Sequence, residues 1–224
     1  MIAGVDGCSK GWFAATRSGA RVLRTPAELE AFFDAVEVCA IDVPIGLAHR
    51  GSRACDKEAR KRLPKRSMCV FSPPIRDVVH LHDHAVANAR SRELNGRGLS
   101  KQAVAIAPKI CEVDEILRRR RDLTERVFEV HPEVSFAIWN GGRPMTVKKS
   151  KLEGRDMRRR LVIPHFGQSL FDDALATARG SAKEDDVLDA FAALWSAERI
   201  HAGQHVPLGD GGTDAAGLPM RIVY

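Results

Sequence analysis

The sequence predicts a single α/β domain on a mixed sheet, in which three strands follow one another, a helix crosses over, and a fourth strand returns beside the first. Three observations predict it. Two short apolar runs, Ile2 to Asp6 and Val38 to Ile41, each lead into an acid and a turn, Asp6-Gly7 and Asp42-Val43-Pro44. Ser18-Gly19 separates two further runs as a tight hairpin turn does. Between the third and fourth runs the apolar spacing becomes helical. A chain of 224 residues that is 44% hydrophobic can bury one core. Residues 1–224 therefore read as one domain, with an irregular, basic insertion over about residues 48–100 after the fourth strand.

The elements follow in order. Trp12 to Thr16 and Ala20 to Leu23 flank the Ser18-Gly19 turn. Thr25-Pro26-Ala27-Glu28 offers an N-cap, a proline at the first helical position and a glutamate three residues after the cap. Leu29, Phe32, Phe33 and Val36 then mark one apolar helix face. Within the insertion, Cys55 to Leu63 reads as a basic helix and Pro73-Pro74 breaks the chain. Ser100 caps a helix reaching Arg121 that Pro108 kinks or splits. Arg126 to Val130 is a fifth strand, and helices are expected over Lys151 to Leu161 and Ser169 to Ala178. The most regular helix runs from a Ser181 cap, boxed by Glu184, to about Ala202, and Arg221 to Val223 ends the chain as a short strand.

No apolar run reaches membrane-spanning length. The chain enters its first strand at Ile2 with no basic stretch and cleavage site before it, so no secretory leader is expected. Five widely spaced cysteines without a C-x-x-C pair suit reduced thiols in a cytoplasm better than a disulfide framework or a zinc site. The net charge is +6, with basic residues gathered over Arg50 to Arg66, Arg118 to Arg121 and Lys148 to Arg160. Such clusters suit a polyanion, because each phosphate neutralised releases counterions; solvated helix faces give the same pattern.

Asp6 and Asp42 carry the functional reading. If the first and fourth strands lie parallel and adjacent, both carboxylates emerge at the carboxyl edge, where open α/β sheets place ligands. Neighbouring carboxylates favour a shared proton or a compensating cation. Alone, an acid before a turn is ordinarily a turn residue; two on neighbouring strands make a pair. On the last helix, Val187, Phe191, Leu194 and Trp195 form the packing face, and Asp185, Asp186 and Asp189 gather on another side. Acids in the first turn also complement the helix dipole, but Asp189 lies beyond it. Glu129 is a charged residue inside an apolar strand, on the face shared by Val127 and His131. The alternating His80, His82 and His84 lack a partner motif, and Cys8 and Ser9 lack a local base, so neither set is assigned chemistry.

Several segments resemble one family: Gly4-Val5-Asp6-Gly7-Cys8-Ser9-Lys10-Gly11-Trp12, Ile41-Asp42-Val43-Pro44-Ile45-Gly46-Leu47, Glu129-Val130-His131-Pro132-Glu133 and Asp185-Asp186-Val187-Leu188-Asp189-Ala190. Arg53-Ala54-Cys55-Asp56 and Pro108-Lys109-Ile110 are similar to it as well. This is the "domain of unknown function 429" family, described as predicted RNase H-like nucleases. The resemblance spans nearly the whole chain in order. It implies an RNase H-like fold with Asp6 and Asp42 in the strand positions that hold metal. It also implies that Asp186 and Asp189 sit where the Holliday-junction resolvase branch carries acids on its last helix.

The expectation is a nuclease that hydrolyses phosphodiester bonds of DNA or RNA with Mg²⁺ or Mn²⁺, hard ions that match carboxylate ligands. Two ions about 3.5–4 Å apart would be bridged by Asp6 and held by Asp42 and by Asp186 or Asp189, one activating water and the other stabilising the leaving oxygen. Glu129 joins the expected catalytic set. Lys10, Arg53, Arg60, Arg66, Lys109 and Lys148 are the expected phosphate contacts. The alternatives are a nucleic-acid-binding module that cleaves nothing, and an actin-like ATP-binding phosphotransferase. The latter needs two such domains, for which 224 residues are too few.

Overall fold

The computed structural model describes residues 1–224. Strands β1 (Ile2–Cys8), β2 (Gly11–Thr16) and β3 (Gly19–Leu23) form an antiparallel meander, and helix α1 (Pro26–Ala35) leads to β4 (Val38–Ile41). Helices α2 (Ala54–Arg62), α3 (His84–Asn95), α4 (Lys101–Ala105) and α5 (Ala107–Arg119) precede β5 (Val127–Glu129). Then come α6 (Pro132–Trp139), α7 (Leu152–Phe166), α8 (Gln168–Ala178) and α9 (Glu184–His201), and β6 (Pro207–Leu208) pairs with β7 (Ile222–Val223). The main sheet has the order β3-β2-β1-β4-β5, with β4 parallel to both β1 and β5. This arrangement is RNase H-like. No helix is long and apolar enough to cross a membrane.

Strand alternation divides the core into two layers. Ala3, Val5, Cys39, Ile41 and Val127 face α1 and α5, packing on Leu29, Phe33, Ile110 and Val113. The intervening residues face α9: Ala40 and Val130 meet Ala193 and Ala197, while Phe13 and Ala15 meet the α7–α9 layer. Thr25 accepts from the Glu28 backbone N–H, and Leu29, Phe32 and Phe33 are buried, as their spacing requires. Ser100 caps α4, and the chain re-enters helix at α5 with Pro108 in its first turn, so the proline splits the helix where it cannot donate.

Helix α9 is buried on nearly every side rather than along one stripe. Leu188, Phe191 and Leu194 are fully inaccessible, each contributing on the order of 1.5–3 kcal/mol. It approaches β1 so closely that a Cβ at Gly4 would lie 2.0 Å from the Leu194 nitrogen and 2.2 Å from the Ala190 carbonyl oxygen. Glycine at this position lets the helix seat on the strand. Gly4→Ala is expected to destabilise the fold by about 1–3 kcal/mol or more, read as a lower urea midpoint; an unchanged midpoint would mean that the contact is not needed.

The structure adds two helices to the sequence reading and corrects the start of a third. Residues 48–100 contain the expected basic helix, α2, and a further helix, α3, that the sequence reading did not include. Helix α3 buries only Ala87 and Ser91, so it carries no apolar period to read. Its N-cap is Asp83, whose side chain accepts from Val86 N–H. Helix α6, also outside the sequence reading, follows Val130 directly, with Pro132 at its first position. Finally, α9 begins at Glu184 rather than at Ser181, with Lys183 as its cap residue. Ser181 instead turns its carbonyl to the Ser9 hydroxyl at 2.8 Å and its hydroxyl to Arg24.

Candidate functional site

The strand register brings Asp6 and Asp42 together. Val5 pairs with Ile41 and Ile41 with Glu129, and the ladder runs one step further: Asp42 N–H donates to the Val5 carbonyl at 2.9 Å and Val130 N–H to the Ile41 carbonyl at 3.0 Å. Asp6, Asp42 and Val130 therefore stand side by side at the carboxyl edge, on the face toward α9. Asp189 reaches the same point from α9 and is 1% exposed. The three acids line a cavity of about 650 Å³, together with His131, Glu133, Lys148 and Lys149.

Burial pushes the Asp6 carboxyl well above the usual carboxylate range, and the neighbouring Asp42 and Asp189 push it further. Burial also raises Asp42 and lifts Asp189 from 3.8 to about 6. One cation lies among them. The Lys149 ammonium is ion-paired with Asp189 Oδ2, and Asp189 first, then Asp6 and Asp42, hold it in the charged state. Its backbone is fixed as well. A Cβ at Gly154 would lie 2.0 Å from the Lys148 carbonyl, Lys151 N–H donates to that carbonyl at 3.0 Å, and buried Arg158 donates to the Val147 carbonyl at 3.3 Å.

In this arrangement no three His, Cys, Asp or Glu side chains converge as ligands of one ion. The chemistry of the site nevertheless fits a small hard cation. Its donors are carboxylate oxygens, an ammonium stands in for positive charge, and Asp189 Oδ1 is buried without a hydrogen-bond partner. Glu133 Oε2 and His131 Nδ1, which line the same cavity, are also buried and unpartnered.

Glu129 and Arg53 line the same cavity, but they face each other rather than the three aspartates. Glu129 is paired in register with Ile41, one residue before Asp42, so its side chain leaves the opposite face of the sheet. There Arg53 donates to both its oxygens at 2.7 Å, and Ile45 N–H donates to Oε2 at 2.7 Å. Arg53 also binds Asp56 Oδ1 at 2.5 Å and is itself 3% exposed. The expected catalytic acid and the expected phosphate contact thus neutralise each other inside the core. Asp186 stands between roles. It lines the cavity, but its Oδ2 accepts from Lys183 N–H at 2.8 Å as the α9 cap, because the cap lies two residues later than expected. Asp185 also lines the cavity.

Of the other expected phosphate contacts, Arg66 and Lys148 line the cavity, with Arg66 at 3.4 Å from Glu133. Arg60 is turned to the Val70 carbonyl and the Ser72 hydroxyl, both at 2.9 Å. Lys109 lies beneath the first turn, with its ammonium on the Gly11 carbonyl at 2.5 Å and 4.4 Å from the Trp12 ring centroid. Lys10 is exposed in the β1–β2 turn, outside the cavity lining. Much of the remaining basic charge is structural: Arg119 and Arg120 tie α5 to Glu30 and Asp34 of α1, and Arg155 and Arg159 pair with Glu184.

Sequence reasoning missed Lys149, His131 and Glu133. Lys149 was hidden in a basic run, with nothing local to separate it from Lys148. His131 and Glu133 were visible in the Glu129-to-Glu133 motif, but no local signal separated them from Glu129. The buried Arg158 donates to Glu133 Oε1, turning that carboxylate toward the cavity.

The fold and the acid-lined cavity at its parallel strand ends define an RNase H-like α/β protein. Its family model, "Protein of unknown function (DUF429)", matches residues 4–211. The chain belongs to that family. No curated protein and no solved structure matches it.

Proposed function

We propose that this chain is a divalent-metal-dependent nuclease of the RNase H-like kind, acting in the cytoplasm. The observation that carries the reading is that Asp6, Asp42 and Asp189, from two parallel strand ends and one helix, line one cavity of about 650 Å³ together with Lys149. Buried carboxylates held this close repel unless positive charge lies between them, and a phosphodiester brings further negative charge to the same place. Mg²⁺ or Mn²⁺ bound there supplies Lewis-acid activation of water and relief of charge on the leaving oxygen. Asp6, Asp42 and Asp189 hold the ion, and Arg158 and Arg66 orient Glu133 beside it. Arg66 and Lys148 line the cavity, which supports a role for them in meeting phosphate oxygens. The five free thiols support a reducing compartment.

The test is a screen of single-stranded, duplex and branched DNA and RNA with Mn²⁺, against Asp42→Asn. Cleavage by the wild type that falls at least about a hundredfold in the variant is expected, in line with the loss of a main electrostatic contribution. Metal-independent cleavage, or equal rates in both proteins, would refute the proposal. Salt-dependent nucleic-acid binding without any cleavage would assign the chain to a non-catalytic binding role.

A further inference from the structure

Resting on the reading of Asp6, Asp42 and Asp189 as ion ligands, we infer that Lys149 is a fixed cation of the site, taking the place of one of two divalent ions, so that the chain binds a single Mg²⁺ or Mn²⁺. Charge is the first ground. Asp6, Asp42 and Asp189 line the cavity around Lys149, while Glu133 is paired through Oε1 with Arg158 and Arg66 and Asp186 caps α9. One ammonium and one divalent ion balance three carboxylates. A second divalent ion beside the ammonium leaves an excess of positive charge in a buried place, which low dielectric makes costly.

The donor atoms are the second ground. Lys149 occupies Asp189 Oδ2, while Asp189 Oδ1 is buried and unpartnered. One oxygen of the helix acid is thus committed to the ammonium and one is left for an ion. The third ground is that Lys149 is built in rather than loosely placed. Its turn is pressed onto α7 at Gly154 and tied to Arg158, with only 38% of its side chain exposed. An unconstrained surface lysine keeps its ammonium in water. The fixed ammonium holds the Asp189 carboxylate in place and contributes positive charge where a phosphodiester develops more negative charge.

Equilibrium dialysis and electron paramagnetic resonance with Mn²⁺ alone test this, on wild type, Lys149→Met and Lys149→Arg. Wild type and Lys149→Arg should bind one Mn²⁺ per chain with the spectrum of an isolated ion. Lys149→Met, which keeps the side-chain length without the charge, should bind two, with the spectrum of a coupled pair about 3.5–4 Å apart. Two ions on the wild type, or one ion on Lys149→Met, overturns the inference while leaving the carboxylate site intact. Failure of the wild type to bind any Mn²⁺ overturns both. The wild-type stoichiometry decides the matter even if Lys149→Met does not fold.

Discussion

Glu129→Ala is expected to destabilise the protein by about 3–5 kcal/mol, because it leaves a buried guanidinium without its main partner. Arg53 lies between Glu129 and Asp56 with 2% of its side chain exposed, and the same truncation strips Ile45 N–H of its acceptor. For a chain of this length the loss corresponds to a melting temperature lower by roughly 6–20 °C. The variant also separates structure from chemistry. Glu129 faces the α1–α5 layer and Asp42 the α9 layer, so the melting-point shift produced by Mn²⁺ should be the same in Glu129→Ala as in wild type. Loss of the Mn²⁺ response together with stability would return Glu129 to the ion site. An unchanged melting point would mean that the Arg53 pair contributes nothing net, as some buried pairs do.

The contrast between Glu129 and Asp42 shows how far the sequence could be read. The hairpin turn, the Thr25 cap and the apolar face of α1 are local signals, and the structure carries each of them. The adjacency of Asp6 and Asp42 also followed, because acids at the ends of two parallel neighbours meet at one edge. What local signals could not supply was the register of the third strand. A single residue of offset sends a side chain to the other face of a sheet, and Ile41 opposite Glu129 puts that acid beneath the sheet and Val130 beside Asp42. His131 and Glu133, which line the cavity with Asp42, cap and open a helix that the sequence reading did not include. Burial was equally hidden: Arg53 read as a phosphate contact and Arg158 as one member of a basic run, yet both are interior and both hold a glutamate.

Electrostatic strain in the ion-free site makes the largest functional prediction, and it concerns Asp6. Burial raises the carboxyls of Asp6, Asp42 and Asp189 above their ordinary values, Asp189 from 3.8 to about 6. In chelator, the folded chain therefore retains protons that the unfolded chain has already released across that interval. By linkage, stability is fully present below the unfolded value and falls as the pH rises through the folded one. Asp6→Asn keeps the shape and removes one charge, so its chelated form should match or exceed wild type at neutral pH and lose less stability as the pH rises above the ordinary carboxylate value of about 4. Added Mn²⁺ should reverse the order. Wild type gains about 2.7 kcal/mol at a hundredfold excess over Kd, roughly 5–11 °C for a chain of this size, and that gain should grow as the pH rises and protons cease to compete for the carboxylates. Asp6→Asn should gain far less. Melting curves at three pH values, with chelator and with Mn²⁺, measure all of this; equal Mn²⁺ shifts in the two proteins would make Asp6 a turn residue and nothing more.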